Sequence, residues 1–384
     1  MFASQSNSRS IGCLLFLAIL SAATGSRAAD VAGTPRDPAI ERPLFLDDSP
    51  SNPRNSEGDF IELKDGRILY VYTHFSSGGN DDSIAHLAGR YSSDGGRTWT
   101  KDDVLILANE GQQNVMSVSL ERLPSGRIAL FYLRKNSLED CRPLVRYSSD
   151  EGKTWSEPTL CIEEVGYYVL NNDRAVQLKN GRIVLPVCLH NRPGQNPDWK
   201  GTIMCYLSDD EGRTWRRSTT TMQRVAQGKR VTLQEPGVVE LKDDRLMMFI
   251  RSDAGNQQVS YSSDGGDTWS PIKDSDIISP LSPASVERIP KTGDLLLVWN
   301  NHHNIDPKLK GKRTPLCAAI SRDDGQSWQN VKTIEDDPNG WYSYTAIHFA
   351  GDHVLLSHGN GQWPEASLLS TTQIVRLPVA WLYK

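Results

Sequence analysis

SSDGGRTW, residues Ser92–Trp99, decides the fold, because the stretch does not occur only once. It returns as SSDEGKTW at Ser148–Trp155, SDDEGRTW at Ser208–Trp215, SSDGGDTW at Ser262–Trp269 and SRDDGQSW at Ser321–Trp328. The five tryptophans follow one another at intervals of 56, 60, 54 and 59 residues. In each copy Asp and Gly make a tight turn in which the carboxylate bonds nearby amides. Thr or Ser and Trp then open a strand, with the indole set into an apolar layer. Self-similarity at a near-constant period means one supersecondary unit used repeatedly.

A second repeat lies out of phase with the first. It is an alternating strand, a turn and an apolar strand: GDFIELKDGRILYVYT, VSLERLPSGRIALFYL, DRAVQLKNGRIVLPVC, PGVVELKDDRLMMFIR, ASVERIPKTGDLLLVW and YTAIHFAGDHVLLSH. These predict six hairpins, starting near Glu57, Ser117, Asn172, Glu235, Ala284 and Tyr344. Each precedes a third strand, and in five cases the Asp turn leads to a fourth. The expected fold is all-β, a six-bladed β-propeller, in which radial repetition leaves few exposed edges. The sixth unit lacks the Asp turn. Its third strand is expected at Gln373–Tyr383 and its fourth at Arg42–Leu46, which would close the ring.

The rest of the chain narrows the function class. A formal net charge of -5 and the lack of a basic run argue against nucleic acid. Arg9, the apolar run Ile11–Ala23 and the small residues Ser26, Ala28 and Ala29 read as an export signal over residues 1–29. A single propeller domain would then span 30–384, secreted or periplasmic. No second apolar span predicts a membrane crossing after the signal is removed. Cys141, Cys161, Cys188, Cys205 and Cys317 match no metal spacing and are expected as small buried hydrophobes. The histidines His74, His190, His302 and His303 form no metal motif either. No metal and no cofactor are expected.

In a propeller the start of each first strand and the end of each second strand share one rim. The first set holds Arg54 and Glu57, Asn114, Asn171 to Arg174, Gln234 and Glu235, Ser282, and Trp341 to Tyr344. The second holds His74, Arg134, His190, Arg251, Asn300 with His302, and His358. Convergent Arg, Glu, Asp, Tyr and His at one mouth make the candidate site, with Arg54, Arg174 and Arg251 as candidate substrate-binding cations.

These features resemble the sialidase (neuraminidase) superfamily over nearly all of the chain after the signal. Gln234-Glu235-Pro236-Gly237-Val238-Val239-Glu240-Leu241, running on to Arg251, is similar to the segment that supplies a Glu and then an Arg. Arg313 stands eight residues before Ser321, where the family has another substrate Arg, and Asp81 stands eleven before Ser92, matching the acid/base Asp. Tyr342-Ser343-Tyr344-Thr345-Ala346-Ile347 sits where the family keeps its nucleophilic Tyr. Tyr344 gives the better motif match. Tyr342 fits the distance to Gly351, and is otherwise a substrate-binding residue.

The match also has a gap. The family's Arg-Ile-Pro on the first inner strand is absent, and a gapless placement puts Ser56 at that Arg. Arg54, two residues earlier on the same strand face, is the candidate substitute. His74-Phe75 stands where many sialidases have a further Arg after the second strand.

The resemblance implies a retaining, exo-acting glycoside hydrolase for a terminal acidic sugar, sialic acid or a related keto-sugar acid. Its catalytic residues would be Tyr344 as nucleophile, Glu235 as its base and Asp81 as acid/base. The expected partner is a glycan or glycoconjugate. The competing readings are a hydrolase or lyase for another glycan on this scaffold, and a propeller that binds glycans without cleaving them.

Overall fold

A computed structural model describes residues 37–364 and 368–384; the expected export signal lies outside them. Six four-stranded antiparallel sheets follow the repeat. Their inner strands are Arg54–Glu62 in the first blade, Asn114–Arg122 in the second, Leu233–Glu240 in the fourth, Ser285–Arg288 in the fifth and Gly340–Ala350 in the sixth. The third blade differs. Its inner run is split into Tyr167–Val169 and Val176–Gln177, both paired with Ile183–Asn191. The sixth blade takes its outer strand from the N-terminal side, Glu41–Leu46 pairing antiparallel with Thr372–Pro378. That is the expected closure. The third strand there ends at Pro378, earlier than expected, because Val379–Tyr383 turns into a 3-10 helix.

Strand alternation explains why the sheets stand side by side. Leu69 and Val71 pack with Leu130 and Tyr132 between the first and second blades, while Tyr70 and Tyr72 face the other way. Each second strand thus feeds two apolar layers. Among the described residues six such layers form, one for each neighbouring pair of sheets. The sixth joins Leu355 and Ile374 of the last blade to Phe60 and Tyr70 of the first. The Thr372 hydroxyl also donates to the Asn55 carbonyl at 2.7 Å.

The Asp turns lie at the blade edges. Asp94 accepts from the Thr98 amide at 2.9 Å and its hydroxyl at 2.7 Å, and the Ser92 hydroxyl accepts from the Gly96 amide at 2.9 Å. Asp150, Asp210, Asp264 and Asp323 repeat the pattern. The five tryptophans pack against the inter-blade layers, and none lines the cavity at the mouth. The five cysteines after residue 36 are free and buried, as expected of small hydrophobes. Among the described residues no helix is long and apolar enough to cross a membrane, and no group of three His, Cys, Asp or Glu could hold a metal.

Candidate active site

The inner strands do not run straight into the mouth. Their pairing with the second strands shifts between Ser56 and Asp59, Met116 and Ser119, Gln234 and Gly237, and Ser343 and Ala346. Inside each bulge sits a residue in the left-handed region: Glu57 at φ 57°, Ser117 at 59°, Glu235 at 46° and Tyr344 at 57°. Asp173, at 55°, falls in the broken run of the third blade. Bulges re-aim side chains. A non-glycine residue at positive φ is strained by roughly 1–3 kcal/mol, and persists only where its surroundings hold it. Here the effect is to bring Glu57, Ser117, Glu235 and Tyr344 to one cavity, together with Asp81, Asn171 and the apolar Met116, Leu133 and Tyr167.

Glu235 and Tyr344 line this cavity, and Arg251 and Arg313 contact them. Arg251 Nη1 lies 2.6 Å from Glu235 Oε1, and the Tyr344 hydroxyl donates to the same oxygen at 3.4 Å. The Arg313 guanidinium lies over the rings of Trp341 and Tyr344, 5.4 and 5.5 Å from their centroids. Burial pushes the Tyr344 phenol up to about 12, Glu235 adds to the rise, and Arg313 and Arg251 oppose it. A phenol held so high needs a base, and Glu235 is in place to be one. Burial, with Arg251 close by, lowers the Arg313 guanidinium. Burial alone would lower Arg251 too, but Glu235 and Tyr344 raise it on balance.

Glu57 and Asp81 line the same cavity and belong to a second group. Arg54 Nη1 holds Asp81 Oδ1 at 2.6 Å, and Arg54 Nη2 holds Glu57 Oε1 at 2.7 Å. The other Glu57 oxygen accepts from the Ser117 hydroxyl. The Asp81 carbonyl accepts from Lys135 Nζ at 2.9 Å and Asn114 Nδ2 at 2.8 Å, while its side chain remains 63 % exposed. Burial pulls the Asp81 carboxyl upward, but the Arg54 guanidinium outweighs it and holds the group below its usual value.

The four arginines therefore separate by partner. Arg313 is 7 % exposed, its Nε and Nη1 find no protein acceptor, and no carboxylate among the described residues pairs with it. Arg251 has one carboxylate partner and a free Nε. Arg54, at 1 % exposure, donates to Ser56, Glu57, the Gly79 carbonyl and Asp81. Arg174 must be corrected: it leaves the mouth and donates to the Ala284 carbonyl at 2.6 Å, lining a cavity of about 530 Å³ farther along the inner strands. That larger cavity holds neither Tyr344, Glu235 nor Asp81. Tyr342 must be corrected as well. It is 2 % exposed and packs in the apolar layer between the fifth and sixth blades, edge-on to His358. The bulge after Ser343 is what sends Tyr342 and Tyr344 to different places.

Sequence reasoning missed Lys135 as a site residue. Taking strand ends by position selects Arg134, whereas the buried cation is one residue on. The missed signal was strand alternation, since Leu133 and Lys135 share one strand face.

Comparison with known proteins agrees with this architecture. The BNR repeat-like domain family matches residues 77–356. A sialidase of Micromonospora viridifaciens is 26 % identical over 387 residues, covering 90 % of this chain and 57 % of the relative. A sialidase of Bacteroides fragilis is 25 % identical over 323 residues, covering 73 % and 55 %. The chain thus spans little more than half the length of these relatives. A Dyadobacter fermentans protein of unknown function superposes with a TM-score of 0.69 at 19 % identity, covering 89 % of this chain and 100 % of that one. Trypanosoma rangeli sialidase, solved as a covalent intermediate with 2,3-difluorosialic acid, superposes with a TM-score of 0.69 at 17 % identity, covering 90 % and 60 %. These likenesses establish the sialidase propeller fold, and with the repeat, the six inter-blade layers and the matched domain, they place the chain in the BNR repeat-like family of the sialidase superfamily.

Proposed function

We propose that this protein is an exo-acting glycoside hydrolase that removes a terminal acidic sugar, sialic acid or a related keto-sugar acid, with retention. The observation that carries the reading is Arg313, a buried guanidinium with two unmatched N–H groups stacked against Tyr344. Such a fork suits a carboxylate, and Arg251 offers a second donor beside it.

With the substrate carboxylate on these two arginines, the anomeric carbon faces Tyr344. Its oxygen forms a bond to that carbon as the glycosidic bond breaks. The phenolic proton passes to Glu235, and Asp81 gives its proton to the departing oxygen. A water then attacks the same carbon, Asp81 takes the water's proton, and Tyr344 leaves with the proton held by Glu235. A neutral phenol approaches an anionic sugar without the repulsion that a carboxylate nucleophile would meet. Asp81 has to carry a proton to act first. Because Arg54 holds it low, cleavage is expected to be fastest in acid and to fall as pH rises. A hydrolase or lyase for another glycan is the second reading, favoured by one observation: Arg54 is spent on Asp81 and Glu57, which leaves two arginines for a ligand.

The test is a panel of fluorogenic glycosides with acidic and neutral terminal sugars. Release from the acidic members alone is expected. Release from neutral members alone, or tight binding of the whole panel without cleavage, would overturn the proposal.

A further inference from the structure

The third blade breaks the pattern of the others, and the break lies against Tyr344. Between its two short inner pieces, Leu170–Ala175 form no ladder, and three consecutive residues of this segment reach the other blades. Asn172 is fully buried, and its Nδ2 donates to the Gly58 carbonyl at 2.9 Å and the Tyr344 carbonyl at 3.1 Å. The Asp173 amide donates to the Val118 carbonyl at 2.9 Å, and Asp173 Oδ2 accepts from the Ile347 amide at 3.1 Å. The Arg174 amide donates to the Ser119 hydroxyl at 2.9 Å, and its guanidinium reaches the Ala284 carbonyl and lies 5.4 Å over Phe249. Asn172-Asp173-Arg174 therefore touches the first, second, fourth, fifth and sixth blades.

What this segment satisfies is specific. The register shift between Ser343 and Ala346 takes Tyr344 and Thr345 out of their ladder. Backbone polar groups freed this way and buried must find other partners. Tyr344 O is taken by Asn172 and Thr345 O by the Ser285 hydroxyl at 2.5 Å, while beyond the shift Asp173 accepts from Ile347 N. We propose that Asn172 is a positioning residue. By bridging Tyr344 O and Gly58 O it ties together the two bulges that carry Tyr344 and Glu57, and it holds Tyr344 in the positive-φ conformation that aims the phenol at Glu235. The consequence for catalysis rests on Tyr344 being the nucleophile; the positioning itself does not.

Two variants test this. Asn172→Ala removes the bridge, and Asn172→Asp keeps the shape while losing the donor whenever its carboxyl is ionised. On an acidic-sugar glycoside, kcat and the rate of covalent capture by a fluorinated sugar acid should fall about 100-fold, the effect of a misplacement near 1 Å. KM and the affinity for a non-cleavable sugar acid should stay within about threefold, because Asn172 does not touch Arg251 or Arg313. Asn172→Asp should recover part of the capture rate at low pH, where a protonated carboxyl can donate again. Titration of the Tyr344 phenol, followed by NMR of ring-labelled tyrosine, should move in both variants without any substrate. If Asn172→Ala does not fold, Asn172→Asp carries the test. A folded variant with unchanged kcat and Tyr344 titration would overturn the positioning role, as would a loss of kcat matched by an equal loss of ligand affinity. If the wild type cleaves no sugar acid, the proposed function fails, and the Tyr344 titration alone then decides the inference.

Discussion

The blade edges and the mouth are built from the same repeat, yet their polar residues live under opposite conditions. At the edges, Asp94 and Asp150 bond their own turns, and their carboxyls sit at about 2; side-chain and amide donors from Thr98 and Thr154 outweigh or exceed the effect of burial. Each turn Asp takes its donors from within four residues, and the five copies repeat the same bonds. At the mouth, the residues at equivalent bulges are Glu57, Ser117, Glu235 and Tyr344, four places with three different chemistries. They are strained, and Glu235 Oε2 and two Arg313 nitrogens find no protein partner. Repetition that satisfies itself holds the ring together. Repetition left unsatisfied, and varied from blade to blade, is where a ligand can be recognised.

The largest expected effect breaks the comparison at the mouth. Tyr344→Phe should lower turnover of acidic-sugar glycosides by about 10³-fold or more and abolish capture by a fluorinated sugar acid. Its melting temperature should stay near that of the wild type. Full activity in Tyr344→Phe, with loss in Tyr342→Phe, would reassign the nucleophile in spite of the buried position of Tyr342.

Next in size is the anion clamp. Arg313→Ala should weaken acidic-sugar binding by about 2–5 kcal/mol, measured by calorimetry, and leave neutral sugars almost unaffected. Equal losses for both would mean that Arg313 holds the fold.

The reverse pattern is expected at an edge. Asp94→Ala should cost roughly 1–3 kcal/mol of stability through its lost charge-assisted bonds, read from denaturant unfolding, with kcat unchanged. A fall in kcat without a fall in stability would show that the edges and the mouth are not independent.

The last comparison is the pH dependence of stability, where the two regions pull in opposite directions. The edge carboxyls are depressed when folded. Their contribution is present above the unfolded value near 4 and is lost as pH falls toward about 2. Glu121 and Asp173, along the inner strands, are raised by burial to about 8 and about 6. The fold favours their protonated forms, so that contribution is present below about 4 and is lost as pH rises through those values. Thermal melting across pH 3–9 should peak on the acid side of neutral, and Glu121→Gln should flatten the decline above the peak. A decline identical to that of the wild type would remove Glu121 as a cause.

Much of this protein is local and therefore legible in its residues. An Asp turn closes within a few positions, so five Asp boxes and six hairpins announce the propeller before any contact is known. Glu235 and Arg251 are also local in this sense, since they begin and end one hairpin and meet across its ladder. The partners of Arg54, the destination of Arg174 and the separation of Tyr342 from Tyr344 were decided only by the tertiary structure. Alternation along a strand assigns faces only while the ladder is regular. At each bulge a residue at positive φ interrupts the alternation, and at the Tyr344 bulge the freed carbonyls are satisfied by side chains from other blades, as Tyr344 O is by Asn172, far away in the chain. Those partners become neighbours only when the ring closes.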